Sequence, residues 1–187
     1  MTPSHIHTWT SRLGAALSLA LPLAAAGAAP VAEDGPQGPG AESLRQDGPF
    51  MAHLLLTPDE AALRRGWAEA AAAGAGVEPR LEITDTAAPG RGVSAVVVFT
   101  GCAPGAAGHC DVAVEYALQK RDGTRATLGS GVLWSQPPHT PRFMLGSTSL
   151  KLAFGAPDRG AQLRVLAKVT DRVARRSVEL AAPLKVE

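Results

Sequence analysis

The chain has few cysteines, almost no net charge and no long apolar run. Two cysteines stand in 187 residues, so at most one intrachain disulfide can form. A formal net charge of +1 excludes the basic excess that points to nucleic acid, and there is no acidic tail. The longest apolar segment, Leu13–Leu23, has about 11 residues, well short of the roughly 20 that a membrane-spanning helix needs. No phosphate-binding glycine loop, paired-histidine helix or calcium loop occurs. Ser130, between Gly129 and Gly131, lacks the full nucleophile-elbow pattern and does not lie between a strand and a helix. His53, His109 and His139 are scattered, and their spacing pairs none of them with an acid. The expectation is a protein that is not an enzyme and has no cofactor.

What is present begins with a delivery signal. His5, His7 and Arg12 precede Leu13–Leu23, and small residues follow, with Ala26, Gly27 and Ala28 placed as a cleavage site. This is the pattern of a secretory signal peptide over residues 1–28. The mature chain is then expected to begin near Ala29, soluble in the periplasm or outside the cell, with no membrane insertion after signal cleavage. No cysteine stands at the cleavage point to accept a lipid. Residues 29–49 are crowded with proline and glycine and have almost nothing apolar to bury, which predicts a disordered leader. Residues 50–187 have the usual size of one domain with one core.

Within that domain, Thr57, Pro58 and Glu60 read as a helix start, with a capping oxygen, a proline at the first helical position and a capping-box glutamate. The helix is expected over about 57–73, ending at Gly74, Ala75 and Gly76. Leu63, Trp67 and Ala70 share one face, docked on the domain, with Arg64, Arg65 and Glu69 largely on the other. Strands follow. Leu81–Thr84 reads as a strand. Val93–Thr100 is short and rich in β-branched residues, as in a central strand covered on both faces. Val112, Val114, Tyr116 and Leu118 alternate with Ala113, Glu115, Ala117 and Gln119, the period of a half-buried strand. Asp122-Gly123 predicts a hairpin, and Gly129 and Gly131 predict a bulge or an edge in the returning strand. Leu150–Phe154, Ala161–Thr170 and Val178–Val186 complete the set, with Pro183 marking an edge and a tight return at Asp171–Arg175. About seven short strands with one N-terminal helix define an all-β, antiparallel, immunoglobulin-like β-sandwich.

Cys102 and Cys110 close a loop rich in glycine and proline. In an exported chain such a pair forms one disulfide. The alternative is a periplasmic metal-binding protein using Cys102, His109, Cys110 and Asp111, whose thiolates, imidazole and carboxylate are all ligands of zinc or copper. Arg172, Arg175 and Arg176 crowd the last hairpin, which is read as a solvated tip.

The run Phe99-Thr100-Gly101-Cys102, with Gly108-His109-Cys110-Asp111, Asp122-Gly123, Trp134, Asp158-Arg159-Gly160 and Val169-Thr170-Asp171, resembles a group of uncharacterised exported bacterial proteins with an immunoglobulin-like sandwich. The resemblance covers residues 81–187. The final part is also similar to repeated sandwich modules of bacterial surface proteins, with Gln162 standing at their tyrosine position. The resemblance implies fold and export, and it brings no activity. The expected function is an exported binding or structural module of the bacterial periplasm or cell surface, whose partner is a protein or another envelope component. Loops carried by a rigid sandwich are the candidate binding surface: His109 in the disulfide loop, and Trp134, Pro137, Pro138 and His139 in the proline-rich crossing.

Overall fold

The computed structural model describes residues 42–74, 77–139 and 143–187, all within the unit that spans Asp34–Glu187. The expected signal peptide and residues 29–41 of the expected leader lie outside the described residues. In chain order the elements are β1 (Leu44–Asp47), β2 (Phe50–Thr57), α1 (Glu60–Ala73), β3 (Thr86–Ala87), β4 (Gly92–Thr100) and β5 (Val112–Lys120). They continue with β6 (Arg125–Trp134), β7 (Met144–Leu145), β8 (Leu150–Ala153), β9 (Gln162–Asp171) and β10 (Arg176–Val186).

The strands form two sheets. The first has the order β1-β2-β4, with β7 and β8 sharing the far side of β4; the second has the order β3-β10-β9-β5-β6. Every pairing is antiparallel except β3 with β10, which is parallel. The all-β sandwich with one helix is therefore present, with ten strands among the described residues in place of the seven expected.

β4 explains why its sequence is apolar without alternation. Val93, Ala95, Val97 and Phe99 face the space between the sheets, whereas Val96 and Val98 join Leu55 and Leu63 in a second cluster beneath the helix. A strand with a sheet on one face and a helix on the other has no polar side. β5 has only one covered face, so Val112, Val114 and Tyr116 are buried while Glu115 is exposed. The Tyr116 hydroxyl donates to the Thr148 carbonyl at 3.1 Å, and burial pushes its pKa upward.

The helix starts two residues later than expected. Asp59, not Thr57, is the cap: its Oδ1 accepts from Ala62 N at 2.9 Å, while Thr57 Oγ1 accepts from Asp59 N at 3.2 Å. Glu60 is thereby freed from a capping box. Its carboxylate instead accepts from Arg64 Nε and Ser149 Oγ, each at 2.8 Å, and ties the first helical turn to the sheet. Burial raises the Glu60 pKa, but hydrogen bonds from Ser149, Arg64 and Ser94, with the Arg64 charge, outweigh it and hold the carboxyl below its ordinary range. Arg64 departs from the expected solvent face and donates to the carbonyls of Gly146 and Ser147. Leu63 and Ala70 are buried and Trp67 is half-buried against the second cluster, so the helix docks on the first sheet.

Two expectations fail for definable reasons. Residues 42–49 are not disordered leader, because β1 pairs with β2 and Glu42, just ahead of it, bridges to the second sheet, where Ala181 N donates to Glu42 O at 2.9 Å. All four β1 side chains are exposed, so composition sees nothing to bury while the backbone supplies the bonds. Residues 81–84 form no strand. Thr84 N makes a single bond, to Leu56 O at 2.9 Å, and Thr84 Oγ1 accepts from Thr86 N at 3.0 Å, so the chain turns locally here instead of extending a ladder. The strand begins only at Thr86, on the parallel edge.

The hairpin at Asp122-Gly123 is present, with Gly123 at φ +86° and Thr124 N donating to Asp122 Oδ1 at 2.9 Å. β6 is both bulged and an edge, with register shifts between Val112/Ala113 and Tyr116/Ala117 of its partner. Pro183 is not at an open edge along its whole length. Ala181 N and Lys185 N donate outward to Glu42 O and Asp85 O, and Pro183, between them, has no N–H to leave unpaired.

Candidate functional site

Four connections meet at one end of the sandwich: the β1–β2 turn, the β4–β5 loop, the start of the β6–β7 crossing and the β9–β10 turn. The β4–β5 loop leaves the sheet at Gly101, whose φ is +73° and where a Cβ would lie 1.7 Å from Pro49 O. Only glycine permits that approach. Cys102 and Cys110 are both buried and joined as a disulfide, with Cα atoms 6.0 Å apart. The loop is closed internally by Gly105 N to His109 O at 2.8 Å and Gly108 N to Gly105 O at 2.9 Å. His109 itself is exposed.

Asp171 holds this loop to its neighbour. It is fully buried, and its Oδ2 accepts from Ala103 N at 2.8 Å while its Oδ1 accepts from Val173 N at 3.0 Å and Ala174 N at 3.1 Å. One carboxylate thus fixes the first residue after Cys102 and the whole β9–β10 turn. A Cβ on Gly105 would meet Val173 Cγ2 at 3.6 Å, so loop and turn are in contact. Arg172 adds an exposed ion pair to Asp111 Oδ1 at 3.4 Å. Asp171 heads the tight return expected from the sequence, and the signal for its role is an aspartate at the head of a turn, where its oxygens reach the following N–H groups.

The crossing is tied in from the other side. Cys110 N donates to Gln136 O at 3.0 Å, which joins the two stretches that carry the expected binding residues. Trp134 is half-buried, with its ring edge-on to Phe99 (centroids 6.1 Å apart) and to His139 (5.6 Å), and its Nε1 donates to Pro137 O at 3.3 Å. His139 N donates to Met144 Sδ at 3.4 Å. The chain wraps around the indole, leaving Pro137 and His139 exposed and Pro138 half-buried. Thr140, Pro141 and Arg142 lie outside the described residues. Trp134 is therefore a support for this surface rather than a free recognition residue.

The four groups considered as metal ligands do not form a ligand set. Both sulfurs are committed to the disulfide, the Asp111 carboxylate pairs with Arg172, and no group of three potential metal ligands occurs among the described residues. What the arrangement offers is a fixed, mixed surface of His109, Pro137, His139 and Val173, the last 39 % exposed.

No protein-family model and no curated protein matches the chain. Among solved structures, the superoxide reductase (neelaredoxin) from Ignicoccus hospitalis aligns at 14 % identity over 58 % of this chain and 79 % of its own, with a TM-score of 0.36. A sporulation control protein from Bacillus subtilis aligns at 13 % identity over 56 % and 46 %, TM-score 0.33. A family 123 glycoside hydrolase from Clostridium perfringens aligns at 9 % identity over 73 % and 27 %, TM-score 0.35. At these TM-scores the likenesses carry no argument about fold type or chemistry.

Proposed function

We propose that the chain is an exported binding module with an immunoglobulin-like sandwich, acting in the periplasm or outside the cell through the loop end rather than by catalysis. The observation that carries the reading is that three connections are locked into one surface, by Asp171 to Ala103, Val173 and Ala174 and by Cys110 to Gln136. Loops fixed in advance bind without the entropic cost of ordering them. The immunoglobulin-like assignment is supported by strand order. With β2, β4 and β8 in one sheet and β10, β9, β5 and β6 in the other, the chain changes sheet between β4 and β5 and again between β8 and β9, as immunoglobulin strands do between B and C and between E and F. On that correspondence the disulfide loop is the B–C connection and the β9–β10 turn the F–G connection, which share the recognition end of variable domains. This is analogy of fold, and the site residues must bear it out. The disulfide supports an oxidising compartment. No helix among the described residues is long and apolar enough to cross a membrane.

The test is capture of an envelope component by the purified chain, with two sets of variants. A partner retained by wild type and by Asp122→Ala, at the far end, but lost by His109→Ala or Pro137→Ala supports the loop surface. Capture indifferent to the loop variants overturns it. Intact mass after thiol alkylation of exported material should show no added groups; two reactive thiols would defeat the disulfide and the compartment together.

A further inference from the structure

The helix covers the first sheet, but no described element covers the outer face of β10, β9 and β5. Register brings Gln119 beside Arg164 and Arg164 beside Pro183 across that face, with Gln162 beside Lys185 one row further on. Here, at the opposite end of the strands from the disulfide loop, lies a cavity of about 480 Å³, inside the roughly 300–1,000 Å³ range of small-ligand clefts.

Its lining contains four cations, Lys120, Arg121, Arg164 and Lys185, and no acid. Arg164 pairs with Glu42, and Lys120 acts on the nearby Asp122 carboxylate. Arg121 and Lys185 take part in none of the ion pairs formed among the described residues. The same cavity has an apolar side at the exposed ring of Pro183. Gln119 also lines it, and its Oε1 is buried without a hydrogen-bond partner. A buried acceptor without a partner requires an explanation; turning toward a ligand would cost that oxygen no protein bond.

The chemistry of an occupant follows. β9 and β5 are interior strands, so their N–H and C=O groups are used in the sheet ladder, and an added peptide strand has nothing to pair with on this face. An extended polyanion is disfavoured as well, because the next charged row alternates in sign, with Glu115 and Glu179 flanking Lys168. A compact group remains, carrying a negative charge for the cations, hydroxyl donors for an orphaned amide oxygen and an apolar face. We propose that this cavity binds an acidic sugar unit, such as a uronate at the end of an envelope or extracellular glycan. Its carboxylate meets Lys120, Arg121 and Lys185, a hydroxyl donates to Gln119 Oε1, and its C–H face lies on the Pro183 ring. The site stands apart from the loop end and does not depend on it.

Calorimetric titration of the purified full chain with trigalacturonate tests this, with an uncharged galactose trimer and inorganic phosphate as comparison ligands. Saturable binding of trigalacturonate is expected, weakened by about tenfold in Lys120→Gln/Lys185→Gln and weakened also in Gln119→Ala. The uncharged trimer should bind at least about tenfold more weakly, and His109→Ala should bind as wild type does. The substituted lysines are exposed, and an unchanged melting temperature will show that the variants remain folded. Absence of saturable binding, equal affinity for the uncharged trimer, or full affinity in the lysine variant would overturn the proposal. Phosphate binding as tightly as trigalacturonate would reduce the site to a general anion patch and overturn the sugar assignment.

Discussion

Asp171 is the residue on which the loop end depends, and replacing it gives a quantitative test. The carboxylate accepts three backbone hydrogen bonds, from Ala103 N at 2.8 Å, Val173 N at 3.0 Å and Ala174 N at 3.1 Å. Bonds to an ionised acceptor contribute about 1.5–3 kcal/mol each. The donors of the turn lie closer to solvent and can rehydrate when the acceptor is removed, so the sum is not recovered in full. Asp171→Ala is expected to cost about 3–4 kcal/mol. Asp171→Asn is the sharper variant. Both carboxylate oxygens accept from N–H groups, so whichever position the new amide nitrogen takes, it faces a donor. The amide is therefore not a neutral replacement, and a loss of about 2 kcal/mol is expected. Urea denaturation reads the cost as a lowered midpoint at constant slope. An Asp171→Asn variant within about 0.5 kcal/mol of wild type would refute the claim that the ionised carboxylate ties the loops together. Because the disulfide and Asp171 hold the same loop, Cys110→Ser and Asp171→Asn should be non-additive in a double-mutant cycle.

The other predictions are independent of that cycle. Cys110→Ser alone should lower stability by about 2.6 kcal/mol, the loop-closure entropy of a ring of this length, and leave a cooperative unfolding transition; a chain unable to fold would refute it. Trp67→Ala should cost about 2–3 kcal/mol, below the figure for a fully buried aromatic because Trp67 is half-buried; a thermal melt shifted by less than about a degree would mean that the helix is not docked through this residue. Burial lowers the His53 pKa from its ordinary 6.5, so its neutral form stabilises the fold fully above that value and the contribution is lost as pH falls through the folded-state pKa. His53→Gln should flatten the loss of stability below pH 6.5, and an unchanged slope would refute it. The Glu60 pKa is also held below its ordinary 4.5, so its stabilisation is present above that pH and disappears on acidification. Glu60→Gln should be less stable than wild type at neutral pH, with the difference closing toward the folded-state pKa.

Much of the fold was legible because its strongest signals are local. Val93–Phe99 is apolar at every position but Ser94 since both faces of β4 are covered, and β9 and β10 alternate because each has one covered face. Asp122-Gly123 dictated its own hairpin. β1 was illegible because an edge strand with four exposed side chains is held by backbone bonds that composition does not encode. The cap moved from Thr57 to Asp59 because both residues can supply an oxygen, and only the path of the chain out of β2 decides between them. The two stretches expected to bind lie at one end of the domain, but no local signal places them together: the bond between Cys110 N and Gln136 O joins residues 26 positions apart, and that between Ala103 N and Asp171 Oδ2 joins residues 68 apart. Long-range register alone brings Gln119, Arg164 and Lys185 to one cavity.

The two sheets divide the demands of stability and recognition unequally. The first sheet is closed by the helix, so its outer side chains, Leu55, Val96 and Val98, are fixed by packing and are not free to vary chemically. At the loop end three exposed residues are tied back to the fold: His109 through its carbonyl bond to Gly105, His139 through half-buried Trp134, and Val173 through buried Asp171. The backbone of that surface is therefore part of the bonding that holds the fold. The outer face of β10, β9 and β5 is different, because its ladder bonds and its inward residues Val165, Ala167, Leu180 and Leu184 are complete without it. Side chains there can be exchanged at little cost in stability. A cationic cavity with an orphaned amide oxygen persisting on such a face is not needed for folding, which directs the search for a ligand to that cavity as well as to the loops.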